Sequence, residues 1–354
     1  MDATVFIVAC GARTAVGLQA APSAAAVRAA INGVREHPFF VDQAGDPLLA
    51  AFDWQLDPRL TGPIRLLALA EPALREACAP LRTVSESRLR LPVYLALPEF
   101  RPGFDPRDAE IIRSGLVRLN GLPIDSTEVQ VIAKGHAAGL SALATAAERI
   151  RRGVVSAALV GGVDSYLRSE TLGWLDGNLQ LVGASSRSSF VPGEGAGFCL
   201  LAGQALCERL RLEPLARVLA IHVGMEEKLN RGSAVCTGEG LTRTVQAVCS
   251  TMSEDARIGD VICDINGERY RSEEWGFVCL RLSHFFTDPT AYLSPADCWG
   301  DTGAASAPLF AVLACQAAAR SVANGSRTLV WASSEGGLRG AAVLDTTSNG
   351  SMGE

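Results

Sequence analysis

One histidine stands where chemistry is easily placed. The stretch Val129-Gln130-Val131-Ile132-Ala133-Lys134-Gly135-His136 begins as a short apolar run, which reads as a buried strand, and breaks at Gly135. It continues as a helix of small residues to Arg152. His136 sits on the break, at the helix N-terminus, where free N–H groups and the helix dipole favour negative charge. An imidazole there could serve as a general base. Two glycine-rich stretches accompany it, Phe190-Val191-Pro192-Gly193-Glu194-Gly195-Ala196-Gly197 and Gly300-Asp301-Thr302-Gly303-Ala304-Ala305-Ser306. Such glycines let backbones approach closely or take positive φ, so they read as support for a site rather than as ligand contacts. Glu194 among them reads as a buried partner for backbone groups.

Other reactive side chains weigh less. None of the ten cysteines forms a Cys-x-x-Cys pair and most lie in apolar surroundings, which describes reduced, buried thiols and neither a disulfide framework nor a metal site. Cys10 falls in a strand and reads as core. Cys298, three residues before Asp301, is the candidate for a displaced nucleophile, though nothing beside it in sequence would activate it. Lys134 could meet an acidic ligand, pair with Asp301, or lie at a dimer rim. Asp264, Glu268, Arg269, Arg271, Glu273 and Glu274 read as a charged loop, either solvated or forming a lip over a pocket.

The elements that must position these groups alternate along the chain. Thr4–Cys10 is a strand. Ser23 can cap an alanine-rich helix reaching about Gly33. Residues 35–62 read as irregular surface, Pro63–Ala79 as a helix, Leu89–Leu97 as a strand of period two, and Asp105–Leu119 as a helix entered through Pro106. The helix after His136 is small and apolar nearly all round, which predicts enclosure on all sides. Strands follow at 154–160 and 198–202. The plan then repeats: strand 215–225, helix from Gly238 to about Met252, strand 260–265, a second helix of small residues over 303–324, and strands at 327–333 and 341–344. The expected domains are an N-terminal half, 1–206, a C-terminal half, 214–345, and a flexible polar tail, 346–354.

Composition excludes several classes. The 354 residues are 48% hydrophobic and 20% charged, ample for a large core. A net charge of −6 without a basic run argues against nucleic-acid binding. Apolar runs near ten residues fall short of the roughly 20 a membrane helix needs. No positive region precedes the first apolar segment, so no signal peptide and a cytoplasmic location are expected.

These signals, in this order, resemble the thiolase-fold condensing enzymes, specifically the β-ketoacyl synthases. Val5–Thr14 looks like the first strand and turn of a thiolase. Glu128–Gly162 resembles the synthase nucleophile elbow, helix and Gly-Gly strand. Phe190–Leu201 is similar almost letter for letter to the Gly-Glu-Gly-Ala-Gly signature. Gly300–Leu309 and Gly336–Leu344 resemble segments of the CoA-primed branch. The resemblance implies an α/β, five-layered αβαβα fold of two pseudo-duplicated halves. It further implies a homodimer paired across a strand close to the elbow, for which the apolar run at 154–160 is suited.

The family's reaction uses a cysteine at the elbow with two further groups, His–His or His–Asn. The matching positions here carry His136, Asn266 (or Asp264, if the register slips by two) and Asp301. All three differ from the pattern. An acyl-imidazole is labile, and an ionised Asp301 would repel a developing oxyanion. Glu335, near an aromatic gatekeeper position, suits an acyl chain badly. The resemblance therefore implies no family-type condensation, and no cofactor or metal. The preferred expectation is a non-condensing accessory, adaptor or partner subunit. The alternatives are an acyltransferase or hydrolase acting on acyl-CoA or an acyl-carrier protein through His136 and Asp301, and an acyl-thioester binding module without turnover. His136 paired with Asp301 could be a catalytic dyad; a pocket histidine hydrogen-bonded to a carboxylate is preferred. Both place the two side chains in contact.

Overall fold

The computed structural model describes residues 4–42, 45–83, 89–125, 128–183, 188–230, 232 and 234–346. The first part of the chain runs β1 (Val5–Thr14), α1 (Ala20–Arg28), β2 (Val34–Val41), β3 (Pro47–Ala51), α2 (Gly62–Ala77), β4 (Leu89–Arg90), β5 (Val93–Leu97) and α3 (Pro106–Val117). It continues through β6 (Ile124–Asp125), β7 (Val129–Ala133), α4 (Ala138–Arg151), β8 (Ala157–Ser165), α5 (Ser169–Gly177), β9 (Glu194–Gly203) and α6 (Gln204–Leu210). The remainder is β10 (Ala216–Met225), α7 (Glu239–Cys249), β11 (Asp260–Cys263), α8 (Arg269–Leu282), α9 (Ala296–Trp299), α10 (Ser306–Ala319), β12 (Arg327–Ser333) and β13 (Leu338–Asp345).

Nine strands share one hydrogen-bonded order, β11-β12-β13-β10-β1-β9-β8-β5-β7. The two halves of that order join only where Phe6 and Ile7 of β1 meet Arg217 and Ala216 of β10. Folding at this seam lets α4 and α10 pack against strands of both halves. The pair forms the middle layer, which explains its composition: nearly every residue of α10 is buried, and alanine and glycine let two sheets close on it. Helices α2 and α3 cover the outer face of one half, and α7 covers that of the other with α8 packed on it. The layers are thus α, β, α, β, α, as the resemblance implies.

The halves follow one plan with one difference. β5, β8, β9 and β1 correspond in order and direction to β11, β12, β13 and β10. β7, paired parallel to β5, has no full counterpart. At that position beside β11 stands a single bridge, Ile262 to Leu293.

Several expectations are corrected. Val34–Val41 and Pro47–Ala51 pair antiparallel as β2 and β3, where irregular surface was read; Pro38 and the acidic residues masked the pattern. Ser23 lies inside α1 and not at its cap; its hydroxyl donates to the Gly17 carbonyl, and the helix ends at Arg28. The strand over 89–97 is split, and Val93–Leu97 is buried on both faces, so its apparent period of two was incidental. The stretch beginning at Glu268 is not a charged loop: α8 runs Arg269–Leu282. The run at 154–160 cannot supply a dimer edge, because β8 is hydrogen-bonded to β5 on one side and β9 on the other. The edge strand of that half is β7. Of the expected tail, 347–354 lies outside the described residues, while Thr346 is buried and its N–H donates to the Ser326 carbonyl.

The middle layer depends on close contact. A Cβ on Gly139 of α4 would run into the Pro308 ring of α10. Gly139→Val should cost about 1–3 kcal/mol in denaturant unfolding. Gly173→Ala in α5, where an added Cβ meets nothing within 4 Å, should be neutral or stabilising by up to about 1 kcal/mol.

Candidate functional site

The elbow is set by Gly135. Its φ of +68° belongs to glycine, and its N–H donates to the Leu97 carbonyl at the end of β5. The chain turns there from β7 towards α4, and His136 is carried into the interior, 5% exposed. The N–H at the N-cap of α4 is not left open: Ala137 N–H donates to Ser334 Oγ at 2.9 Å, and that hydroxyl donates to the Lys134 carbonyl. Lys134 itself is exposed.

Asp301 arrives from the other half. Its N–H donates to the Val191 carbonyl at 2.8 Å, and its carbonyl accepts from Gly193 N–H at 2.9 Å. This is the role of the glycine-rich stretch: a Cβ on Gly193 would stand 2.5 Å from the Trp299 carbonyl and 2.7 Å from that of Asp301. Glu194 next to it is fully buried, accepting from Asp53 N–H and, bidentately, from Arg65 at 2.6 Å. Its partners therefore include a guanidinium as well as a backbone group.

Three residues named from sequence meet here. His136 Nε2 lies 2.8 and 3.0 Å from the two oxygens of Asp301. Asn266 Nδ2 donates to Asp301 Oδ2 at 2.5 Å. Gly303 N–H donates to Asp301 Oδ1 at 2.7 Å. Asp264 takes a different place, accepting from Ser333 N–H and from Arg271.

Arg271, read from sequence only as part of a charged loop or pocket lip, is a buried member of the site. It is fully buried on the first turn of α8. Its Nη1 donates to Asp264 Oδ2 at 2.6 Å and to the Ser333 carbonyl at 2.7 Å; its Nε donates to Glu268 Oε2 at 3.2 Å. Its Nη2 lies 3.3 Å from His136 Nε2. The signal was present: Arg271, Trp275, Val278 and Leu282 recur at helical spacing and are all buried. The charges on that face disguised the period.

Electrostatics follow from this packing. Burial pushes His136 down, but the Asp301 carboxylate outweighs burial and Arg271, and the imidazole is held above its ordinary value. Burial pushes Asp301 up, yet His136, Arg271 and Gly303 N–H together hold it well below the usual carboxylate range. Below the raised His136 value the pair is imidazolium and carboxylate. Burial leaves Asp264 raised despite Arg271, and its Oδ1 has no partner. A void of ≈ 10 Å³, room for about one water, lies beside Asp264, Asn266 and Asp301 and is not lined by His136.

The thiols stand apart. Cys263 lines that void, but its sulfur faces the Leu293 carbonyl and burial holds its pKa well above the ordinary value. The Cys298 sulfur faces the Val27 carbonyl, and burial raises it too. Cys10 is core, 3.9 Å from Cys199. Glu335 is exposed and accepts from Gln180. Glu226, Cys236 and Glu274 lie close enough to hold a metal, but Glu274 is taken bidentately by Arg339 and Glu226 accepts two backbone N–H groups.

No protein-family model matches the chain, and no curated protein does. Solved structures do. One is a chain of AntDE:AntF, described as a type II polyketide synthase acyl-carrier protein in complex with its ketosynthase: TM-score 0.78, 15% identity, 98% of this chain and 99% of that one. Another is the ketosynthase from module 6 of the bacillaene synthase of Bacillus subtilis 168: TM-score 0.78, 16% identity, 97% of this chain and 72% of that one. A third is the ishigamide ketosynthase/chain length factor: TM-score 0.76, 16% identity, 98% and 99%. The chain has the thiolase-like fold of the ketosynthases.

The ion pair makes stability pH-dependent. A raised His136 value contributes stability present below about pH 6.5 and lost as pH rises through the folded value; a depressed Asp301 value contributes stability present above about pH 4 and lost as pH falls. Asp301→Asn should cost about 3–5 kcal/mol near pH 6 in denaturant unfolding. The gap to the unsubstituted protein should narrow towards pH 9. A gap independent of pH would contradict the charged pair.

Proposed function

We propose that this chain is a non-condensing, ketosynthase-like subunit that acts by associating with a protein partner rather than by carrying an acyl group. One observation carries the reading. The place where a strand-to-helix elbow would present a nucleophile holds a buried histidine whose Nε2 faces both oxygens of Asp301 and lies 3.3 Å from Arg271 Nη2. An acyl thioester needs a nucleophile with a free electron pair and room for its carbonyl. His136 Nε2 faces both oxygens of Asp301, so a proton it carries is donated there and that nitrogen offers no electron pair. Two donors that could stabilise an oxyanion are engaged: Asn266 with Asp301, Ala137 N–H with Ser334. Acyl transfer or hydrolysis through His136 is disfavoured on the same grounds.

The partner surface we assign is the outer edge of β7, the strand that leads into the elbow. β7 ends the sheet order, and Val131, Ile132 and Ala133 are only half buried in the isolated chain. An open edge is a template for strand pairing. A second copy, or a thiol-bearing ketosynthase subunit, fits it; the ishigamide neighbour, whose description couples a ketosynthase with a chain length factor, supports the latter kind of pairing. An acyl-carrier protein is the further partner to examine, by analogy with the AntDE:AntF complex.

Two experiments test this. Intact mass after incubation with octanoyl-CoA or cerulenin should be unchanged; an adduct on His136, Cys263 or Cys298 would overturn the non-condensing reading. Light scattering with size exclusion should give a dimer, and Ile132→Lys on β7 should shift it to monomer without loss of helix content by circular dichroism. A dimer unaffected by Ile132→Lys would remove β7 as the interface.

A further inference from the structure

A second cavity opens at the opposite end of α10 from His136. Ser306 and Phe310, early in the helix, line the small void beside Asp301, whereas Leu313, Ala314 and Ala317 line this one. From Ser306 to Ala317 the helix rises about 16 Å. The cavity measures ≈ 390 Å³, within the range of small-molecule sites. It lies where the C-terminal half lacks a fifth strand. Beside β11 the chain offers Leu293 through one bridge, and the space a full strand would fill is left open.

Its chemistry is one-sided. The floor is Val27 of α1, Val261 and Ile262 of β11, and Leu313 of α10, all buried. Small residues at Ala24, Ala314 and Ala317 leave the volume unfilled. The mouth is apolar as well: Tyr292, Leu293 and Val322 are 43%, 39% and 47% exposed there. A closed core would not leave three large apolar side chains around an opening into its own apolar floor.

One cation stands at the rim. Arg28, in the last turn of α1, is exposed and, among the described residues, has no ion-pair partner. The acid that lines the same cavity, Asp260, is turned away, accepting from Asn324 N–H at 2.8 Å and Asn324 Nδ2 at 2.7 Å. An anion at the mouth would thus meet a guanidinium able to form charge-assisted hydrogen bonds. A chain running inward from it would meet mainly hydrocarbon, with Thr328 the buried polar side chain in the lining.

We propose that this cavity binds a medium-chain carboxylate, with its tail on the Val27–Ile262–Leu313 floor and its head group against Arg28. The site is separate from the His136 network and does not rest on the partner role proposed above. The test is calorimetric titration of the full chain with decanoate and, separately, decanol. Decanoate should bind saturably with one site per chain. Arg28→Gln should weaken decanoate about tenfold, the worth of one charge-assisted hydrogen bond, while leaving decanol unchanged. Ala317→Trp, filling the cavity from the rim, should abolish both. No saturable binding at millimolar decanoate would overturn the proposal, as would an unchanged affinity in Arg28→Gln. Arg28 is exposed and in contact with no ion partner, so its substitution tests the head-group contact without threatening the fold.

Discussion

The structure turns on neutralising charge in a buried place. Arg271 and His136 bring two cations into the space between the two halves, and Asp301, Asp264 and Glu268 surround them. Leaving any one of these charges buried and alone would cost several kcal/mol. Each is therefore fixed by a different element: His136 by the turn into α4, Arg271 by the first turn of α8, Asp264 by the end of β11, and Asp301 by the backbone strap from Val191 to Gly193. The same interaction ties the elbow of one half to Asp301 and Arg271 of the other.

That arrangement separates fold from chemistry. Ketosynthases solved elsewhere share the architecture at 15–16% identity, and identity that low conveys backbone shape and not reaction. Here the framework of glycines and small helices is intact, because close backbone approach at Gly193 and Gly139 is needed to pack five layers whatever the site does. The side chains in the site are free of that constraint. Thiols are abundant in the chain, but those nearest are held protonated by burial and directed at backbone carbonyls.

What could be read from sequence was what local pattern encodes. Gly135 before a run of alanines gives an elbow and an enclosed helix; the glycines of 193–197 give close approach; His136 and Asp301, 165 positions apart, could be paired only through the family resemblance that aligned both with one site. The helix carrying Arg271 escaped because it presents charged residues to the interior, which inverts the usual apolar period. The β2–β3 pairing escaped because its strands are partly exposed and interrupted by proline. The run at 154–160 was misassigned as an edge because an apolar strand buried on both faces looks the same whether its hydrogen-bonding edges are free or paired; only sheet order, which gives the edge to β7, distinguishes them.

The central claim is that the elbow holds an imidazolium locked to a carboxylate and closed to thioesters. The most direct measurement is a nitrogen-15 titration of the histidine rings, with the His136 signal assigned by loss in His136→Gln. The account predicts a ring that stays doubly protonated past pH 6.5, where an unperturbed histidine deprotonates, and that is unmoved by added acyl-CoA. A His136 ring that is neutral at pH 6.5, or that shifts when the thioester is added, would contradict it.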